Sequence, residues 1–187
     1  KGKRKIIFSC VRFGNVLNTR GSVVTVFRSQ ISNGDSLTIT DPKMTRFIMR
    51  LEEAVELTLK AAKIARGGEI FIFKMIAVKM ADFTKAVVEE LAPQFNRKPK
   101  KIKIKIIGKR PGEKMFEELM TEDEAENAFE NKKLIVVLPA VSNRLYNQYL
   151  HIKLPRGFKK IKKRSYTSNK TKLLSCGEIK DLIRKCK

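Results

Sequence analysis

Residues 11–22 read VRFGNVLNTRGS, an apolar run that stops at a polar loop and hands over to a second apolar run. Upstream, Ile6, Ile7, Phe8, Cys10, Val11 and Phe13 form a nearly continuous β-branched and aromatic run, the pattern of a strand covered on both faces. The loop that follows carries Gly14, Asn15, Asn18, Arg20, Gly21 and Ser22. A buried strand that passes through such a loop into a helix is the basic unit of an α/β protein. Loops at the carboxyl ends of such strands are where these folds hold ligands.

Outward from this stretch, Ser22 is placed to cap a helix through Val23, Val24, Val26, Phe27 and Ile31, with Gly34 as its stop. A short strand, Leu37–Thr40, leads into the loop DPKMTRF. Leu51 to Ala65 reads as a helix with Ala54, Val55, Thr58, Leu59 and Ala62 on one face. Gly67-Gly68 ends it, and Glu69–Lys74 is a strand. Asp82 is the expected cap of a third helix carrying Phe83, Val87, Val88 and Leu91, terminated by Pro93. Lys101–Gly108 alternates, which predicts an edge strand with one wet face. KRPGEKMFEEL, residues 109–119, reads as a loop opening into a short helix. Thr121 with Glu124 makes a capping box for another through Ala125 and Phe129. Leu134–Pro139 is a further strand. The basic remainder, broken by Pro155 and Gly157, ends in a helix from Gly177 to Cys186. The alternation predicts an α/β fold over residues 1–150, with a basic tail and terminal helix over 151–187.

Composition narrows the possible functions. The 187 residues carry a net charge of +22 and are 42% hydrophobic, enough for one sizeable core. The charge points to polyanionic partners and says nothing of fold. No helix-turn-helix, ribonucleoprotein aromatics or zinc ligands frame it, and the tail offers only Phe158 and Tyr166 for stacking. Weak, salt-sensitive sticking to nucleic acid is the expectation, not specific recognition. No apolar stretch is long enough for a bilayer, and the basic start lacks a signal peptide's apolar core, so the expected location is the cytoplasm. Cys10, Cys176 and Cys186 show no metal or CxxC spacing, and His151 stands alone. No metal site is expected.

Three loops place Arg beside Gly, Pro, Ser, Thr or Asn next to a regular element: Asn15–Ser22, Asp41–Arg46 and Arg110–Lys114. Arginine's fork matches phosphate oxygens, and free N–H groups at a helix start favour anions. The three loops together suit a diphosphate. The alternative is that Arg20, Arg46 and Arg110 are solvated or pair with Glu113, Glu117 and Asp41.

VRFGNVLNTRGSVVTVF, LTITDPKMTRFIM, GGEIFIFKM and KIIGKRPGEKMFEELMTEDE follow one another in this order. In this the chain resembles the UDP-N-acetylglucosamine 4,6-dehydratases of the capsule and polysaccharide biosynthesis group of extended short-chain dehydrogenases/reductases. The resemblance runs from about Ile6 to Pro139, with a weaker echo in RSYTSNKTKLLSCGEIKDLI, and the tail is closest in shape to the inverting, soluble branch. It implies that Asn15 contacts the diphosphate of a UDP-sugar, that Arg46 and Arg110 neutralise it, and that Glu113 accepts the ribose hydroxyls. It also implies that the backbone around Thr38 and Thr40 reads the uracil edge. Asn18 departs from the family, where a glycine is usual.

Family members bind NAD(P) through a glycine-rich turn and use a Tyr-x-x-x-Lys pair that precedes the RFGN strand. No GxGxxG occurs here, and Tyr149/Lys153 and Tyr166/Lys170 lie after the substrate motifs, where a lysine-rich chain meets such spacing by chance. The chain therefore reads as the second half of a dehydratase: a Rossmann-like C-terminal part with the substrate subdomain, without a cofactor site or catalytic residues of its own. Lys1 in place of Met fits that reading. On this reading the chain alone is inactive, needs an N-terminal cofactor-binding half in trans, and carries an apolar edge at Lys5–Phe13 that favours oligomers. A degenerate remnant that keeps the fold, and a basic polyanion-binding protein on the same scaffold, are the alternatives.

Overall fold

The computed structural model describes residues 6–139 and 154–185, which divide into two compact units. The expected boundary at 150/151, His151, Cys186 and the Tyr149/Lys153 pair lie outside the described residues.

The first unit comprises residues 6–13, 53–74, 118–139 and 154–166. Its sheet holds β1 (Cys10–Arg12), β5 (Ile70–Phe73), β10 (Leu134–Val137), β9 (Ala128–Glu130) and β11 (Lys159–Lys160), side by side in that order. β1 and β5 run parallel, with Val11 beside Phe71, and the other pairings are antiparallel. The short β8 (Glu118–Met120) brings Met120 into a core with Ile72, Ala125, Ala128, Ile135 and Ile161. Helix α2 (Leu51–Ile64) belongs to this unit from Glu53 onward and buries Ala54, Leu57 and Ala61. The carboxylate of Glu69, 1% exposed, closes the turn after α2 by accepting from Arg66 N, Gly67 N and Ser9 Oγ at 2.7–2.8 Å.

The second unit comprises residues 14–52, 75–117 and 167–185. Its main sheet sets β2 (Asn15–Val16), β4 (Thr45–Met49) and β6 (Ile76–Lys79) in order, parallel then antiparallel. A second, parallel pair joins β3 (Leu37–Ile39) to β7 (Ile104–Ile106). Helices α1 (Val23–Asn33), α3 (Met80–Leu91) and α4 (Cys176–Lys185) close the core, in which Phe27, Ile31, Val78, Phe83, Leu91 and Ile179 are buried. Glu89 with Lys180, and Glu90 with Arg184, tie α3 to α4. Gly34 stops α1 in the left-handed region at φ 82°, as the sequence predicts.

The structure corrects several local expectations. Ile6, Ile7 and Phe8 are exposed, Phe8 at 78%, because β1 is an edge strand with only β5 beside it among the described residues. The buried stripe of α2 is Ala54, Leu57 and Ala61; Val55 (52% exposed) and Leu59 (59%) face outward on the opposite apolar row. β7 is exposed at every residue, since its only partner among the described residues is the three-residue β3. Pro99–Lys101 forms a 3₁₀ turn in place of the strand's start. Residues 109–119 contain no helix. The chain turns at Pro111-Gly112 and enters β8. The capping box at Thr121 and Glu124 is real, with N–H···O bonds of 3.0 and 3.2 Å, but it opens a single 3₁₀ turn and Phe129 belongs to β9. Helix α3 starts two residues before Asp82, which lies in its first turn, and Pro93 sits inside a continuing 3₁₀ turn, where a missing N–H costs nothing. Asn18 takes φ 56°, so the asparagine adopts the left-handed conformation that a glycine would supply.

Candidate functional site

All six residues singled out by the sequence motifs, Asn15, Thr38, Thr40, Arg46, Arg110 and Glu113, line one cavity of about 470 Å³ in the second unit. Asn15 opens β2, Thr38 and Thr40 lie in and just after β3, and Arg46 is on β4, not on a loop as expected. Arg110 and Glu113 come from the turn beyond β7, and Arg20 and Ser22 from the approach to α1. The cavity therefore opens beyond the carboxyl ends of the parallel pair β3/β7 and at the amino end of α1.

Glu113 is the centre of a small network. One carboxylate oxygen accepts from Arg46 Nη2 and from Thr40 Oγ1, both at 3.2 Å; the other accepts from Arg110 N at 3.1 Å. Partial burial pushes the carboxyl up. The Arg110 N–H, the Thr40 hydroxyl and the Arg46 guanidinium outweigh that and hold it below the ordinary carboxylate range. The group is therefore an ionised acceptor at neutral pH, with three of its roughly four lone-pair sites in use. Arg46 is fixed further by donating to Thr45 O at 2.9 Å and to Met44 Sδ at 3.0 Å. One expected alternative, an Arg46–Glu113 ion pair, is thus present inside the cavity itself.

Arg20 and Arg110 have no carboxylate partner for their guanidinium groups among the described residues. Ser22 occupies the N-cap position of α1 with φ −66° and ψ 156°, yet among the described residues its hydroxyl caps nothing and its buried Oγ has no partner. The first N–H groups of α1 therefore begin beside an unused hydroxyl and a free arginine, an arrangement that favours a phosphate-like anion.

Three supporting residues escaped the sequence reading as site components. Gln30, on α1, brackets Thr38 by donating to its Oγ1 at 2.9 Å and accepting from its N–H at 3.2 Å. Glu117 accepts from Asn15 Nδ2 at 2.9 Å and from Phe47 N at 2.7 Å, which aims the Asn15 amide. Ser168 fixes Glu117 from behind. Glu117 and Ser168 stand in stretches already singled out, FEEL and YTSN, but polar residues in such runs carry no period that reveals a hydrogen bond. Tyr166 and Lys170 do not line the cavity. No cluster of three metal-ligating side chains occurs among the described residues.

Residues 1–139 match the model of a family described as polysaccharide biosynthesis proteins. An uncharacterized membrane protein of Methanocaldococcus jannaschii is 56% identical over 139 residues, covering 74% of this chain and 42% of that one. Among the described residues, no helix is long and apolar enough to cross a membrane. A UDP-glucose 4-epimerase of Rickettsia bellii is 38% identical over 181 residues, 96% of this chain and 50% of the relative. The X-ray structure of Pen from Bacillus thuringiensis superposes with a TM-score of 0.83 at 37% identity, over 96% of this chain and 50% of that one. The chain thus spans half or less of the length of these relatives. It has the mixed α/β fold of Pen and belongs to the polysaccharide biosynthesis protein family.

Proposed function

We propose that the cavity binds a UDP-sugar, with UDP-N-acetylglucosamine as the intended ligand, and that the chain is the substrate-binding part of a 4,6-dehydratase for surface-glycan biosynthesis. One observation carries the reading: residues from three separate sequence motifs, spread over almost a hundred positions, line a single cavity of suitable size for a small ligand. In this reading Arg110, Arg20 and the start of α1 take the diphosphate, and Arg46 shares its guanidinium between Glu113 and a phosphate oxygen. Glu113 keeps one acceptor site for a ribose hydroxyl and gains a second when Arg46 turns toward phosphate. The Thr38 N–H is already held by Gln30, so the uracil edge falls to the Thr38 carbonyl and to Thr40.

The one glycine at the end of β1, Gly14, is needed for internal packing, since a Cβ there would lie 2.7 Å from Phe47 Cβ. No hydride step is assigned to this chain, and an N-terminal cofactor-binding half in trans is the partner proposed for it. Calorimetric titration with UDP-N-acetylglucosamine at physiological salt tests the reading. Saturable binding that an Arg46→Ala/Arg110→Ala double variant loses supports it; a folded sample that takes up no ligand overturns it. A second cavity of about 500 Å³, lined by Arg97, Lys98, Lys101 and Lys103 with one acid, Asp35, favours the alternative of polyanion binding. In that case heparin would bind and the double variant would bind it unchanged.

A further inference from the structure

We infer that Ser168 is a positioning residue of the cavity, locking Glu117 and through it the Asn15 amide. Ser168 stands outside residues 1–139, the span matched by the family model. It does not line the cavity and is 0% exposed.

The hydrogen bonds leave little freedom. Ser168 N donates to Glu117 O at 2.9 Å, and Glu117 N donates to Ser168 Oγ at 2.9 Å, so this one residue holds both backbone groups of Glu117. Ser168 Oγ also lies 3.1 Å from Thr45 O and 2.8 Å from Thr45 Oγ1. A hydroxyl has one proton and two acceptor positions. If the proton goes to Thr45 O, both acceptor positions are filled, one by Glu117 N–H and the other by the Thr45 hydroxyl. The serine is then fully used. With its backbone pinned, Glu117 can place one carboxylate oxygen on Asn15 Nδ2 and the other on Phe47 N. Asn15 Nδ2 also donates to Phe47 O at 3.0 Å, which leaves the amide oxygen as the end turned to other partners. The chain of contacts therefore runs from the C-terminal segment through the turn after Glu113 to the first residue of β2, and beside it to β4. Removing the serine hydroxyl strands the half-buried Glu117 N–H and the buried Thr45 O–H at the centre of this chain.

The ligand arm of the test rests on the UDP-sugar reading; the spectroscopic arm does not. Side-chain amide NMR on the full chain follows Asn15 in the wild type, in Ser168→Ala and in Glu117→Gln. Thr84→Val serves as a control that removes another fully buried hydroxyl, one bonded to Met80 O. In the wild type the Asn15 amide protons are expected to be slowly exchanging and sharply resolved. Ser168→Ala is expected to broaden them or speed their exchange about tenfold, the equivalent of one hydrogen bond, while Thr84→Val leaves them unchanged. UDP affinity is expected to fall by about the same factor in Ser168→Ala, with no further loss when Glu117→Gln is added, because both changes break one path. An Asn15 amide unmoved in a folded Ser168→Ala protein overturns the inference, and so does equal perturbation by Thr84→Val. If the wild type binds no UDP, the function reading fails and the amide spectra alone decide the role of Ser168.

Discussion

Both units use ion pairs to hold elements together, but the second leaves arginines open around its cavity. In the first, Arg12 closes on Glu124 at 2.8 Å, Glu130 takes Lys74 at 2.6 Å and Arg164 at 3.0 Å, and Glu56 takes Lys60 and Lys133. In the second, Arg20 and Arg110 keep their guanidinium groups without a carboxylate among the described residues. Of the two buried side-chain oxygens without a partner among the described residues, Ser22 Oγ lies at that cavity, and Thr167 Oγ1 lies in the same unit but does not line it. Unpaired buried groups are a cost that a scaffold has no reason to carry and a binding site does. In the second unit the pairs of α3 with α4 are closed, and the open arginines are those that line the cavity.

Breaking the open side of that comparison should give the largest effect. Arg46→Ala with Arg110→Ala removes two charge-assisted contacts and is expected to weaken UDP-N-acetylglucosamine binding by about a hundredfold or more, at roughly 1.5–3 kcal/mol per contact to a charged group. Calorimetry reads the loss, and the melting temperature should barely move for Arg110, which is exposed. Breaking the closed side should do the reverse. Glu124→Ala removes the Arg12 pair and half of the Thr121 capping box, so stability should fall by about 1–2 kcal/mol, read by denaturant melts, with ligand affinity unchanged. An affinity loss in Glu124→Ala would erase the distinction between the units.

The same contrast explains what the sequence could tell. Helices α1, α2 and α4 are legible because apolar periods, Gly34 and Gly67-Gly68 mark them, and the six motif residues that line the cavity are legible because they stand in distinctive Arg- and Gly-rich stretches. The outward face of α2 is not, because it carries two apolar rows, Ala54/Leu57/Ala61 and Leu51/Val55/Leu59, and only packing decides between them. The helix expected after RPGEK fails for a related reason. Glu113, Glu117 and Ser168 claim that segment's side chains and backbone for the site, and local propensity loses to those bonds. Ser168 itself is beyond reach, since a serine in a polar run shows nothing of the backbone it will bind.

Acid should sharpen the picture at Glu113. Its carboxyl is held below the ordinary value near 4.3, so the unfolded chain takes up its proton at a higher pH than the folded one does. The stability this contributes is fully present above the unfolded value and is lost as pH falls through the folded one. Melting curves from pH 6 down to pH 3 should therefore show wild type above Glu113→Gln at the top of the range, with the gap closing toward the bottom. A gap that widens on acidification would mean that burial, not the contacts from Arg110, Thr40 and Arg46, governs the group.

The smallest effect is expected on α2. Leu59 is 59% exposed and Val55 52%, so neither loses much buried area on substitution, and both face away from the Ala54/Leu57/Ala61 stripe. Lysine is also a better helix former than valine and equal to leucine within a few tenths of a kcal/mol. Val55→Lys/Leu59→Lys should therefore change stability by no more than about 0.5 kcal/mol per site, the range of ordinary surface substitutions, and leave ligand binding unaffected. A loss of several times that in denaturant melts would mean that this row is covered in solution. It would then join exposed Phe8 and Ile6 as apolar surface that the first unit holds ready for another polypeptide, and the two units would differ in their partners as well as in their charges.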